Sequence, residues 1–454
     1  MPDTPYRWWR DLTRYHWFVF LVAALGWLFD TMDQQIFVVV KDDAMRELLH
    51  LKPGDPKVID ASGQATAIFL IGWATGGLAF GVLGDRIGRV KTMILTIIAY
   101  SFFTGLSMLS KGFWDFCAYR FLTGLGVGGE FAVGVALVAE TMPARARPYV
   151  LSLLQASSGV GNITAALIYL GMGQLELGGV FGSGGFLGSL GLSPWRLCFV
   201  VGALPALLVV LIQRRLKEPE AWKQVAASKD RGSYAALFRH PVWKRHALFG
   251  LLLGFSAVVG LWGIGFFATQ LQKDVFRRGF EATGLTGDAL GGQLKRWAGL
   301  TSVMQNLGGM AGIIAGGILA QRAGRKFAFA VSYIAAAVST AAVFWYLDRP
   351  SQVFWLVPLM GFCQLSLFGL LAVYLPELFP THLRSTGTSF CYNVGRFLAA
   401  VGPFIFGVLT SSVFVGLAHE PARYAGVVMC SVFALGLIAL PFLPETKDKP
   451  LPEG

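Results

Sequence analysis

Apolar positions in this chain come in long unbroken runs rather than at the two-residue or three-to-four-residue spacing of a water-soluble fold. Crossing a ~30 Å hydrocarbon layer as a helix takes about 20 residues. The first half offers six such runs, His16–Val40, Gly63–Leu83, Thr92–Ser110, Trp114–Ala139, Tyr149–Leu170 and Trp195–Ile212. The second half offers His246–Leu271, Trp297–Ala320, Phe327–Leu347, Gln352–Leu375, Ser385–Val413 and Ala422–Leu443. Because lipid cannot hydrogen-bond a bare backbone, each run is expected to cross as a helix. The pattern predicts an all-α membrane protein of twelve transmembrane helices. The first run is too long for the apolar core of a removable signal peptide.

Composition agrees. Hydrophobic residues make up 54% and charged residues 14% of the 454-residue chain, against about 25% charged in an ordinary globular domain. The net charge of +12 at first looks like a nucleic-acid binder. Sorted by predicted side, nearly all of the excess Lys and Arg falls on the termini and the even-numbered connections. That is the positive-inside pattern, which places both termini in the cytoplasm, most simply of a cell's plasma (inner) membrane, and removes nucleic acid as a partner. Cys117, Cys198, Cys363, Cys391 and Cys430 all fall within predicted helices and form no close-spaced pair, so neither a disulfide framework nor a metal site is expected. No cofactor is implied.

The longest connection, Arg214–Arg245, divides the helices six and six. The expected units are therefore residues 1–215, a central loop 216–245, and residues 246–454. An internal repeat supports the division. Gly81-Val-Leu-Gly-Asp85-Arg86-Ile-Gly88-Arg89-Val-Lys91 follows helix 2, and Gly317-Ile-Leu-Ala-Gln321-Arg322-Ala-Gly324-Arg325-Lys326 follows helix 8. Glu140-Thr-Met-Pro143 with Arg147 follows helix 4, and Glu377-Leu-Phe-Pro380 with Arg384 follows helix 10. Both pairs have nearly the same offset, so the chain reads as a duplicated six-helix unit, a common transporter plan.

On these motifs the chain resembles the major facilitator superfamily over essentially its whole length. The resemblance implies the major facilitator fold, two pseudo-symmetric six-helix bundles, and alternating access. Two branches compete. Pro444-Glu445-Thr446-Lys447 after helix 12 and Glu218-Pro219-Glu220-Ala-Trp222 after helix 6 resemble the sugar porters. Gly128-Gly129-Glu130, Asn393-Val-Gly395-Arg396 and Asp30-Thr-Met-Asp33 are more similar to the proton-coupled organic-acid and metabolite symporters, where the last motif is usually Asp-Gly-Tyr-Asp.

Charges inside a membrane cost ~2.5–3.5 kcal/mol each and are functional candidates by default. The candidates are Asp30, Asp33, Arg120, Glu130 and Arg396. Counting the helical rise places Asp33 about 10 Å and Arg120 about 9 Å below the outer face, so an ion pair between helices 1 and 4 is expected. The resemblance points the same way, since relatives pair an acid in helix 1 with the arginine opening Arg120-Phe-Leu-Thr-Gly124-Leu-Gly126-Val-Gly128. Protonation would break such a pair, which makes it a proton coupler; a static pair joining two helices is the plainer alternative. Asp30 lies on nearly the same face and is a second proton carrier. Glu130, about 15 Å along the helix from Arg120, is a proton carrier, a substrate ligand or a packing acid.

Arg396 is expected near the midplane, where it suits a carboxylate gripped by two parallel hydrogen bonds. A partner across the cavity, Asp30 or Glu130, is the competing reading. Asn393, Gln155, Asn162, Gln305, Asn306 and Gln364 are expected to supply a polar lining between the halves, although singly such residues more often join helices. By resemblance, Asp85 caps helix 11, while Arg89, Glu140 and Arg147 form an ion network with Arg325, Glu377 and Arg384, flanked by Arg86 and Arg322. Gln321 replaces an acid in the second copy, so the latch is expected to be asymmetric. Gly124, Gly126 and Gly129 match a dinucleotide fingerprint, but no strand precedes them; they read as close helix packing. The glycine-rich stretch Gly171–Pro194 reads as a loose outer loop.

The sequence therefore predicts a proton-coupled symporter of a small organic anion, working as a monomer in the lipid bilayer, with a neutral sugar as the second substrate class. A membrane enzyme lacks any nucleophile–base or metal-ligand arrangement. A receptor would need a longer cytoplasmic tail. ATP-driven transport lacks a phosphate-binding loop.

Overall fold

In the computed structural model, residues 7–52, 55–178, 180–181, 187, 192–204, 212, 215–225, 230–399, 405–406, 408–414, 416 and 420–452 are described. Among them the protein is helical, and ten helices are long and apolar enough to cross a membrane. They are α1 (Arg14–Leu48), α2 (Pro56–Ile87), α3 (Arg89–Ser107), α4 (Phe113–Thr141) and α5 (Arg147–Leu177), then α7 (Pro241–Val258), α8 (Gly287–Ala323), α9 (Arg325–Tyr346), α10 (Val353–Tyr374) and α12 (Pro421–Met429, resuming at Val432–Ala439). The other two expected spans are described in part, as α6 (Pro194–Gly202) and α11 (Arg384–Ala399). Parts of those two runs, Arg214 and Lys229 of the central loop, and part of Gly171–Pro194 lie outside the described residues; residues 171–177, expected in a loose outer loop, instead continue α5, because nothing there stops the coil before Leu177.

Several helices outrun their apolar cores. At about 1.5 Å per residue, the 35 residues of α1 reach about 52 Å. The sequence explains the overshoot, because polar turns with helix-compatible residues continue the coil until a cap stops it. Thr13 and His16 form a capping box at the start of α1. At its far end Glu47 accepts from Trp195 Nε1 at 2.6 Å and from Arg196 Nε at 3.1 Å, tying α1 to α6. Helix α7 is not regular throughout. It passes through a π-helical turn, Val259–Ile264, before resuming as Gly265–Glu281.

Small residues set the packing. Helix α4 lies between α2 and α3 and is largely buried. A Cβ at Gly124 or Gly128 would collide with the α2 backbone at Phe69 or Trp73. Gly126 faces Tyr100 of α3 just as closely, which is the role expected of the glycine run. Across the two sets of six, α2 packs on α11 and α5 on α8. The first set and this interface hold the charges described next.

Candidate functional site

Three acids and two arginines are buried where α1, α3 and α4 meet α2 and α11. Asp33 Oδ2 accepts from Arg120 Nη2 at 3.1 Å, and both side chains are fully buried. Aromatic rings enclose the cation: Arg120 Cζ lies 4.7 Å from the Phe37 ring centroid, 5.0 Å from Phe69 and 5.2 Å from Phe199. Cation–π contacts of this kind strengthen when water is excluded. Asp33 Oδ1 has no hydrogen-bond partner among the described residues, nor has Arg120 Nε or Nη1.

Asp30, one turn before Asp33, is 1% exposed, and neither of its oxygens has a partner among the described residues. Its charged neighbours are Glu130, Asp33 and Arg396. Arg396 sits on α11 with its guanidinium stacked 3.7 Å from the Trp73 ring of α2 and 4.6 Å from Tyr392. Tyr392 in turn stacks on Phe131 of α4, with ring centroids 4.0 Å apart. Arg396 is thus held on the interface between the two sets of helices by aromatic faces. No carboxylate among the described residues lies within 4.0 Å of it, and its Nε and Nη1 have no partner there. Glu130 is 1% exposed, and Thr96 Oγ1 lies 2.7 Å from its Oε2.

The neutral polar residues divide. Asn162 Nδ2 donates to Asn306 Oδ1 at 2.9 Å, bridging α5 and α8. Gln155 is buried on α5 with its Oε1 unpartnered among the described residues. Asn393 packs against Gly77 of α2 and donates to Ser389 Oγ at 3.0 Å. Gln305 is half-buried on α8, where its backbone packs against Gly361 of α10. Gln364 does not line the interface. It donates to Thr340 Oγ1 at 2.8 Å, joining α10 to α9 within the second set, because α10 is apolar all round and gives no sequence signal of its orientation.

At the end of the molecule carrying the repeat loops, a second buried network ties the two sets together. Asp85 accepts from the Ser385 and Thr386 backbone N–H groups at 3.1 and 2.8 Å and from Thr386 Oγ1 at 2.6 Å. It also pairs with Arg89 at 2.7 Å. Arg89 donates to Glu140 at 2.8 Å and to the Thr381 carbonyl at 2.7 Å. Arg384 donates to the same Glu140 oxygen at 2.7 Å. In the second copy, Arg325 grips Glu377 at 3.0 and 3.1 Å, and Thr446 Oγ1 joins at 2.6 Å.

Three residues expected in this network stand apart. Arg147 makes no ion pair within 4.0 Å among the described residues, and its Nε is unpartnered there. Glu377, one of the acids of that network, already accepts three hydrogen bonds from Arg325 and Thr446. Arg86 and Arg322 are exposed; Arg86 donates to the Arg231 carbonyl at 3.3 Å, and the Arg322 carbonyl accepts from Lys447 at 2.9 Å.

Two functional residues carried only a family likeness in the sequence and prove to be caps. Gly88 and Gly324 take positive φ, 116° and 100°, turning the chain into α3 and α9. Glu218 then accepts from the N–H groups of Arg89, Val90 and Lys91 at 2.7–3.2 Å. Glu445 accepts from Arg325 and Lys326, both at 3.0 Å. Burial alone would push the Glu445 carboxyl up, but these backbone donors and Lys447 hold it below the usual carboxylate range.

The comparisons with known proteins agree with this architecture. The model of the Major Facilitator Superfamily matches residues 19–403. A "putative metabolite transport protein" of Haemophilus influenzae is 29% identical, covering 97% of this chain and 99% of that one. The "cis,cis-muconate transport protein" of Acinetobacter baylyi is 29% identical over 86% of each chain. Among solved structures, the proton:xylose symporter XylE of E. coli superposes with a TM-score of 0.72 at 17% identity, over 96% of this chain and 98% of that one, which is a likeness of fold. A duplicated helical bundle, the paired loop motifs and a family match spanning most of its length make this chain a member of the Major Facilitator Superfamily, a transporter rather than an enzyme.

Proposed function

We propose that this transporter moves a small organic anion together with protons across a plasma (inner) membrane by alternating access. The observation that carries the proposal is Arg396. A guanidinium buried on the interface, braced by Trp73 and Tyr392 and free of any carboxylate within 4.0 Å among the described residues, is a pre-positioned anion clamp. The substrate named for the Acinetobacter baylyi relative, cis,cis-muconate, is a dicarboxylate of the size and charge such a clamp would take. Asp30 lies across the interface as a charged neighbour of the same arginine. Asp30 bearing a proton would leave Arg396 to the substrate, and Asp30 ionised would compete for it. That competition links proton and anion binding without any other part.

Asp33 and Arg120 supply the second coupling element. Breaking a buried pair by removing one partner leaves an uncompensated charge worth about 3–5 kcal/mol. Its opening is therefore favourable only when a proton takes the arginine's place on Asp33. The Asp85, Arg89, Glu140 and Arg384 network is the cytoplasmic latch, closed in this conformation.

The test is uptake into proteoliposomes of a labelled panel of organic acids and sugars, with and without an inward proton gradient. Gradient-driven uptake of an acid is expected. Arg396→Gln should raise KM about tenfold or more, since hydrogen bonds to charged groups contribute about 1.5–3 kcal/mol each. Asp33→Asn should still exchange substrate but no longer accumulate it. Gradient-independent uptake of a sugar would overturn the reading.

A further inference from the structure

Helix α3 presents three hydroxyl side chains one turn apart to the interior, Thr96, Tyr100 and Thr104, all fully buried. Opposite them α1 offers Gly26, Asp30 and Asp33, and α4 offers Glu130, Thr123 and Arg120. Two of the rungs are documented by contact. Thr96 meets Glu130, whose Oε1 fills the space that a Cβ at Gly26 would occupy. Tyr100 has Glu130, Asp30 and Asp33 as its charged neighbours. Thr104 and Asp33 Oδ1 both face Gly202 of α6. The hydroxyls of Tyr100, Ser101, Thr104 and Thr123 have no partner among the described residues, so the ladder has unused hydrogen-bonding capacity along its length.

The lowest rung carries a protonation argument. Thr96 Oγ1 lies 2.8 Å from the Met93 carbonyl and 2.7 Å from Glu130 Oε2. A hydroxyl has one proton to give, and the carbonyl can only accept. Both contacts are hydrogen bonds at once only when Glu130 bears a proton and donates it to Thr96. No cation lies within 4.0 Å of Glu130 among the described residues to favour its ionised form. The groups facing it are Gly26 and Asp30 of α1 and Thr96 and Tyr100 of α3.

We infer that Glu130 is a proton-holding site inside the first helical set, positioned there by Thr96. This deepens the proposed proton coupling and rests on it for its purpose, though not for its chemistry. Thr96 positions the protonated Glu130 carboxyl.

Infrared spectroscopy of the purified, substrate-free protein tests this. The parent should show a buried protonated-carboxyl band at neutral pH that is missing from Glu130→Gln. Thr96→Val should shift that band, and Thr96→Ser should restore it. Thr96→Val keeps the packing volume, so it should elute as the parent does from size exclusion. A band that survives Glu130→Gln, or that Thr96→Val leaves unshifted, overturns the proton site. Gradient-driven uptake by the parent is measured alongside. Its absence would sink proton-coupled transport by itself, while the infrared results decide the internal site.

Discussion

The two copies of the loop motif descend through the same fold positions yet make opposite kinds of contact. In the first copy, Asp85, Arg89 and Glu140 all reach across to the second set of helices, through Ser385, Thr386, Thr381 and Arg384. In the second copy, Arg325 and Glu377 bond to each other and to Thr446, inside their own set. Packing stays symmetric: Gly81 abuts Ser389, and Gly317 abuts Ser152. The charges do not. The difference traces to one residue, since Asp85 caps the Ser385 and Thr386 N–H groups at the start of α11, whereas the matching position in α5 is Pro148, which has no N–H. An acid at position 321 would have half as much to bind, and the chain has Gln321 there. Symmetric shape with asymmetric bonding makes the first copy the latch and the second a brace.

Five experiments would break or sharpen that contrast, in order of expected size. Glu140→Gln strips the shared acid from two buried arginines and should cost about 3–5 kcal/mol. Melting should fall, and hydrogen exchange in the first turn of α11 should quicken. Glu377→Gln should lower melting by a similar amount without touching α11 exchange. If it loosens α11 equally, the latch-and-brace distinction is wrong. Asp85→Asn leaves the shape intact and weakens three charge-assisted bonds, so labelling of a cysteine placed at the loop end of α11 should rise about tenfold.

Smaller effects come from the second copy. Gln321→Asp alone should change melting by no more than about 0.5 kcal/mol. Combined with Pro148→Ala, which supplies the missing donor, it should gain about 1 kcal/mol from a new helix cap. Smallest is a pH effect at Glu445, whose carboxyl is held low by the backbone of α9. Its contribution is present above the ordinary glutamate pKa of about 4.3 and is lost as pH falls through the lower folded value. Melting measured from neutral pH downward should show that loss, and Glu445→Gln should flatten it.

Much of this was legible because depth can be counted along a helix. That counting put Asp33 beside Arg120, and the repeat offset aligned the two loop motifs. Rotation about the helix axis was not legible. Gln364 faces α9 rather than the interface, and nothing in the sequence said so, because a helix apolar on every side, as α10 is, carries no stripe to orient it. Arg147 misled for a related reason: a repeat predicts equivalent backbone positions, but which acid an arginine reaches depends on who has already claimed it. The caps of Glu218 and Glu445 were visible only as family likeness, since each lies far in sequence from the helix it caps.

The π turn in α7 has a mechanical consequence. Where an α-helix fits about 3.6 residues per turn, this stretch holds one more, and Gly260 lies so close to Phe433 of α12 that no side chain would fit there. The helix is in effect a screw with one cross-threaded turn. Ironing that turn out would advance the Gly265–Glu281 end by about 1.5 Å and rotate it by about 100°, with no backbone hydrogen bond given up overall. Such a rod changes the face it shows its neighbours without having to unwind.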